Sequence, residues 1–273
     1  MTAKTRDIQN EKDTRKIELE KVGVKNIRYP ILVHDKKKKY QHTVAKINMY
    51  VDLPHHFKGT HMSRFVKVLN QYHGEISVHN FVEIIDNMKE KLNAASAHLE
   101  VEFPYFIEKE APVSGEKGLV DYNCRFKGTS NEGKDFIISV AVPITSLCPC
   151  SKEISERGAH NQRSIVTVSF RFDKFIWIED VIEIIEKSAS CEIYSLLKRP
   201  DEKYVTEKAY DNPRFVEDLV REIFLKLNAR DEITWFSIEA ENFESIHNHS
   251  AYAYVEKRPS CLKETIHRNT TRN

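Results

Sequence analysis

The sequence predicts an α+β fold made of two successive strand-strand-helix-helix-strand-strand sets. Three observations carry that prediction. Several stretches alternate apolar and polar residues, as half-buried strands do. Pairs of segments between them repeat apolar residues at helical spacing. A polar turn, Gly128-Thr-Ser-Asn-Glu-Gly-Lys134, separates two such groups with the same element order. Each group is expected to form a four-stranded antiparallel sheet with two helices on one face.

The elements of the first group follow in order. A strand is expected around Ile27–Val33, and a second over Thr43–Leu53, where Ala45, Ile47, Met49, Val51 and Leu53 share one face. The lysine run Lys36–Lys39, inside the polar stretch from His34 to Gln41, reads as a solvated hairpin turn between them. Met62, Phe65, Val66 and Leu69 predict a helix, and Phe81, Ile84, Ile85, Met88 and Leu92 predict a longer one. Leu99, Val101, Phe103 and Tyr105, then Val120, Tyr122, Cys124 and Phe126, alternate as two closing strands.

The second group repeats this order. Phe136, Ile138, Val140 and Val142 alternate, as do Val166, Val168, Phe170 and Phe172. One helix carries Ile178, Val181, Ile182, Ile185 and Ala189. Another is expected from Pro213, a favourable first helical position after Asn212, with Phe215, Val216, Leu219, Val220, Ile223 and Leu227 on its stripe. Strands around Phe236–Ala240 and Ala251–Val255 complete the set. The expected organisation is therefore a fraying tail over 1–20, one unit over 21–129, a second over 130–257, and a fraying tail over 258–273. Sheets with helices on one side leave edges and a face to be covered, which invites assembly of several copies into a barrel.

Composition narrows the function classes. Apolar residues make up 40% of the 273 and charged residues 30%, as in a soluble globular protein. No run approaches the ~18 apolar residues of a membrane span, and the N-terminal stretch lacks the apolar core of a secretory signal, so a cytoplasmic protein is expected. Five cysteines, an odd number, do not make a disulfide framework. A net charge of +1 offers no global field for polyanions, which argues against nucleic acid and requires locally placed cations for any phosphate ligand.

Four polar segments are not explained by packing. The first is Ser146-Leu-Cys-Pro-Cys-Ser-Lys-Glu-Ile154, continuing to Gly158-Ala-His-Asn-Gln-Arg163. Cys148-x-Cys150 is too tight for a structural zinc knuckle and has no second pair. A mononuclear metal site fits better, with a thiolate from Cys148 or Cys150, the nearby His160 and a carboxylate from elsewhere. Buried inert thiols and a redox dithiol are the rival readings, the latter weakened because redox pairs favour Cys-x-x-Cys. The second segment, Leu196–Thr206, concentrates Lys198, Arg199, Asp201, Glu202 and Lys203 in what reads as a loop between two helices. The third is Glu217, beside the apolar stripe of its helix. In the fourth, Glu241–His249, Glu244 precedes His247 and His249, which suggests acid–base work or metal ligation.

These segments resemble a known family. Cys148-Pro-Cys-Ser-Lys152, Gly158-Ala-His-Asn-Gln-Arg-Ser164, Leu197-Lys-Arg-Pro-Asp-Glu-Lys-Tyr-Val205 and Glu241-Asn-Phe-Glu-Ser-Ile-His-Asn-His249 look like signature segments of the type IB GTP cyclohydrolases. So do Lys58-Gly-Thr-His-Met-Ser-Arg64 and Ala111-Pro-Val-Ser-Gly115. The resemblance runs from about Val22 to Tyr254. It implies the tunnelling fold, with two such units per chain in a homotetramer, and GTP as substrate.

It also implies roles. Cys148, His160 and Glu202 would hold one divalent metal, zinc or alternatively manganese or iron, with Cys150 a second thiol close by. Glu217 would hold the purine ring, and Glu244, His247 and His249 would complete the acid–base set, with His247 or His249 protonating N7. The triphosphate would be held by a group drawn from Lys58, His61, Arg64, Arg163, Lys198, Arg199 and Lys203. The implied reaction opens the ring at C8, releases formate and gives 7,8-dihydroneopterin triphosphate for tetrahydrofolate synthesis. Another ring-handling reaction on the same fold, or a non-catalytic metal- or nucleotide-binding module, are the alternatives.

Overall fold

The computed structural model describes residues 9, 11–72, 75–131 and 133–257. The tail expected over 258–273, and residues 1–8 and 10 of the N-terminal one, lie outside the described residues. Within that N-terminal stretch, Lys12 bridges to Phe57, and Gly59 N–H and Lys58 N–H donate to the carbonyls of Gln9 and Glu11 at 3.1 Å each.

The chain divides into two compact units. One holds the described residues up to Tyr105 together with Asn123–Ile138, and the other holds Phe106–Tyr122 and those from Ser139 on. In the first, β1 (Leu19–Asp35) and β2 (Lys39–Leu53) form a hairpin, followed by α1 (Met62–Gln71) and α2 (Phe81–Leu92). It is completed by parts of β3 (Ala97–Glu110), β4 (Lys117–Ser130) and β5 (Lys134–Leu147), in the order β1-β2-β3-β4-β5.

The lysine run is the expected exposed turn. Asp35 Oδ1 accepts from Lys37 N and Lys38 N at 2.8 and 2.7 Å, closing the hairpin through its own side chain. Ala45, Ile47, Met49 and Val51 are buried, as their alternation requires. Gly23 on β1 is obligatory, since a Cβ there would stand 1.9 Å from the carbonyl oxygen of Met49. Phe81 and Phe103 meet the Phe126 ring edge-on at 5.8 and 5.0 Å between centroids, anchoring α2 on the sheet. The buried stripe of α1 is Phe65, Val68 and Leu69, whereas Met62 and Val66 of the expected stripe stay exposed. Phe65 centres that face, which leaves Met62 and Val66 on its margin.

The second unit carries the remainder of β3–β5, then α3 (Pro149–Ile154), β6 (Asn161–Phe172), α4 (Ile178–Glu186), β7 (Cys191–Glu192), α5 (Arg199–Asp211), α6 (Val216–Asn228), β8 (Ile233–Asn242) and β9 (Ala251–Glu256). Strand order is β3-β4-β5-β6-β8-β9, with β7 paired to β5. Val181, Ile182 and Ile185 of α4 and Leu219, Val220, Ile223 and Leu227 of α6 are buried, with Phe170 and Phe236 from the sheet. The pairings that bound the site run antiparallel, with helices packed against the strands, so the α+β expectation holds.

Two local expectations are corrected. The stretch read as a loop over Leu196–Thr206 contains the start of α5. This helix escapes apolar periodicity because its only buried residues are Asp201 and Ala209. Its signals are polar: Pro200 in the first turn, Asp201 and Glu202 beside it, and Lys208 in the last turn. The helix expected from Pro213 begins at Val216. The reason lies in Arg214, whose N–H donates to Leu147 O at 3.1 Å and whose carbonyl accepts from Ser146 Oγ at 3.2 Å. Those bonds pin 213–215 as an extended segment beside the end of β5.

Candidate active site

The site is assembled where β5 ends. Cys148 caps α3, its Sγ accepting from Ser151 N at 3.4 Å, and Pro149 occupies the first turn. Gly158, at φ 122°, lets the chain reverse into β6. Cys148 N–H then donates to the His160 carbonyl at 3.1 Å, so the thiol and the imidazole sit on facing ends of adjacent strands. Ser151 ties them further: its hydroxyl donates to Cys148 O at 3.1 Å and accepts from His160 N at 3.2 Å.

The register of β6 on β8 supplies the carboxylate. Ser164 pairs with Asn242, and Phe243 N–H donates to Arg163 O at 3.0 Å, which carries the chain on to Glu244 beside the start of β6. Glu244 Oε2 lies 4.0 Å from His160 Nδ1, and Glu244 Oε1 accepts from Gln162 Nε2 at 3.4 Å. Gln162 Oε1 in turn lies 3.0 Å from His160 Nδ1. Behind these groups Ser146, Ser164 and Asn242 are buried, and Asn242 Nδ2 donates to Ser146 Oγ at 3.4 Å.

Among the described residues, the other expected side chains do not join this hydrogen-bonded frame. His247 and His249 are exposed and stack on each other, centroids 5.0 Å apart. Cys150 is exposed on α3, and Glu217 is exposed on the first turn of α6. Arg163 falls on the opposite face of β6 from the buried Gln162. Arg199, Glu202 and Lys203 are exposed at the start of α5, where Lys203 Nζ lies 3.8 Å from Glu207 and Lys198 pairs with Glu116. Lys58, His61 and Arg64 belong to the first unit. There Lys58 pairs with Glu11 at 3.0 Å, while His61 and Arg64 line a cavity of about 190 Å³ with Asp52, Thr60 and Asn93.

The start of α5 is held by a buried carboxylate. Asp201 is 0% exposed and accepts from Val113 N and Ser114 N at 2.8 Å each, Ser114 Oγ at 2.6 Å and Lys198 N at 2.9 Å. Burial pushes this carboxyl up, but the Ser114, Lys198 and Val113 donors outweigh it and hold it well below the usual carboxylate range. The Ala111–Gly115 segment, given no role by sequence, is thus the dock for α5.

The same unit contains a second polar cluster. Burial raises Glu192, yet Lys208 at 2.6 Å and Tyr194 at 2.8 Å bring it down to about 2. Burial and the neighbouring Glu192 push the Cys191 thiol up to about 11, so it is an inert thiol.

Comparison with known proteins matches residues 5–253 to the family model described as type I GTP cyclohydrolase folE2. The chain belongs to this family. It is 65% identical over 254 residues to the GTP cyclohydrolase FolE2 of Syntrophotalea carbinolica, covering 93% of this chain and 96% of that one. It is 63% identical over 251 residues to that of Geotalea uraniireducens, covering 92% and 93%. Among solved structures, uricase from Arthrobacter globiformis superposes with a TM-score of 0.53 at 8% identity over 90% of this chain and 96% of that one. A highly active mutant of Bacillus sp. TB-90 urate oxidase gives 0.52 at 10% identity, over 88% and 99%. At such identities the likeness shows the fold alone, and it is the tunnelling fold.

The residues expected to hold a metal are only partly gathered. Cys148 and His160 share one hydrogen-bonded frame, and a thiol with an imidazole suits a borderline-soft divalent ion. Glu202 does not join them, and among the described residues no group of three or more His, Cys, Asp and Glu side chains is arranged around a common point. A carboxylate that does approach His160 is Glu244, and Gln162, which links the two, went unnoticed in the sequence. The signal was its position two residues from His160 on one face of β6.

Proposed function

We propose that this chain opens the imidazole ring of GTP by hydrolysis at C8, releasing formate and forming 7,8-dihydroneopterin triphosphate, as a cytoplasmic enzyme of tetrahydrofolate synthesis. The family match supports the reaction class. The observation that carries the site is the frame in which Cys148, Ser151, His160, Gln162 and Glu244 are linked by hydrogen bonds.

The chemistry needs a water delivered to C8, proton donation to N7, and a held purine. A divalent metal held by Cys148 and His160, with Glu202 as its third donor once brought to them, would supply the Lewis acidity that lowers the pKa of a water toward ~7. Glu217 accepts from the ring N–H and the exocyclic amine, a pairing that an exposed carboxylate at a helix start can offer to a ligand. His247 or His249 protonates N7, which makes C8 electrophilic, and Glu244 moves protons as water adds and the C8–N9 bond breaks. A second water releases formate. The ribose then rearranges, and ring closure expels a water.

The triphosphate is met by a group drawn from Lys58, His61, Arg64, Arg163, Lys198, Arg199 and Lys203, arginine giving the bidentate contacts. The working form is a homotetramer. Exposed Phe215, Phe243, Ile246, Tyr252 and Tyr254, on β9 or near the candidate site, support a surface covered by another copy. No helix among the described residues is long and apolar enough to cross a membrane.

The test is incubation of metal-reconstituted protein with GTP, following formate and the fluorescence of the oxidised product, with Cys148→Ala alongside. Product from the wild type alone is expected. A folded, metal-loaded wild type that releases no formate would overturn the reading in favour of another pterin- or purine-handling reaction.

A further inference from the structure

Gln162 touches both His160 and Glu244, and its chemistry orders the pair. The side chain is 8% exposed at the first buried position of β6. A primary amide has one accepting end and one donating end, whereas an ionised carboxylate only accepts. The amide nitrogen therefore faces Glu244 Oε1, at 3.4 Å, and the amide oxygen faces His160 Nδ1, at 3.0 Å. The reversed amide would set its oxygen against the carboxylate and leave a part-buried acceptor unpaired, which is the expensive arrangement.

A carbonyl oxygen cannot donate, so the imidazole nitrogen facing it must carry the hydrogen. A neutral His160 then bears its proton on Nδ1 and keeps a lone pair on Nε2. Among the described residues no hydrogen bond or ion pair reaches Nε2. The main chain holds the ring's base in place as well, through Ser151 Oγ and Cys148 N.

We propose that Gln162 is a positioning residue that transmits the acceptor character of Glu244 to His160 and locks it as the Nδ1–H tautomer, with Nε2 presented as a metal donor. The use of Nε2 rests on the proposed function; the tautomer does not. Partners of this kind behind a ligating histidine typically change metal affinity by about 10–100-fold.

The decisive measurement is the protonation of each ring nitrogen of His160 in the full chain without added metal, by long-range proton–nitrogen correlation spectra of histidine-labelled protein. The signal is assigned by its loss in His160→Gln. Wild type is expected to show a protonated Nδ1 and an unprotonated Nε2. Gln162→Met, of similar volume but without an acceptor, should give a mixture of tautomers.

A protonated Nε2 in wild type, or an unchanged tautomer in a folded Gln162→Met, would overturn the proposal. Should that variant fail to fold, Glu244→Gln takes its place. An amide at 244 can donate to a reversed Gln162, so the lock should loosen, and an unchanged tautomer there would equally overturn it. Cobalt(II) titration then reads the consequence, with affinity lower by about 10–100-fold in Gln162→Met. Failure of wild type to take up cobalt would count against the metal reading of the site, while the tautomer result still decides the role of Gln162.

Discussion

The first strand-and-helix set is lean and the second is interrupted. Between β2 and β3 the first carries, among the described residues, only α1 and α2. The second inserts α3 between β5 and β6, and β7 with α5 between α4 and α6. The lean set buries its alternating side chains, and its buried carboxylates, Asp35 and Asp52, accept from backbone N–H groups of the turns that join its strands and helices. The interrupted one buries Asp201, holds Glu192 and Lys208 in a partly buried pair, and carries the whole frame linking Cys148 to Glu244. Regular periodicity builds the scaffold, and the departures from it hold the candidate site.

Substitutions can break or sharpen this contrast. The largest effect is expected from the scaffold–site pair Phe81→Ala and Cys148→Ala. Phe81 is 0% exposed at the centre of the first unit's aromatic cluster, and its truncation should cost about 3–5 kcal/mol, read as a lower denaturant midpoint. Cys148→Ala should leave that midpoint nearly unmoved while formate release stops. If both variants lost stability alike, the separation of scaffold from site would fail.

Next come the two exposed histidines. Replacing the proton donor should lower kcat by about 10²–10⁴-fold, and the other replacement should do much less. Single His247→Ala and His249→Ala variants, assayed with GTP across pH, assign the role. Equal small effects would move the donor back into the frame of β5, β6 and β8.

A smaller and pH-dependent effect is expected at Glu192. Its folded pKa of about 2 lies below an ordinary value near 4.5, so the carboxylate stabilises the fold fully above that value. The contribution is lost as pH falls through 4.5 toward 2. Glu192→Gln should therefore be less stable than wild type by about 2 kcal/mol at neutral pH, and the gap should close over that window. Urea midpoints at pH 7 and pH 3 check it; a gap that widens on acidification would contradict the assigned pair with Lys208.

Lys203→Ala should do least to the fold. Its 3.8 Å approach to Glu207 is largely exposed, so stability should change by less than about 0.5 kcal/mol. A raised KM for GTP with unchanged kcat would place Lys203 in the phosphate group, and an unchanged KM would remove it.

Much of this was legible in the linear chain, and the limits have physical causes. Strand faces such as Ala45–Val51 and Val166–Phe170 and the helix stripes of α2 and α4 are local periodicities, and they appear where expected. Helix α5 did not, because its docking force is a set of hydrogen bonds to Asp201 and not an apolar stripe. Pro213 carried a correct local signal for a helix start that a bond from Arg214 to Leu147 overrides.

By itself, then, the sequence determined the order of the main strands and of the helices with an apolar stripe, most of the buried faces, the signature segments and hence the family, since each depends on residues close together in the chain. Only the tertiary structure decided which signature residues meet. The register of β6 on β8 brings Glu244 to Gln162, residues 82 apart, and so to His160. It leaves Arg163 on the other face. A hydrogen bond needs its partners within about 3 Å, and no linear spacing can state that distance.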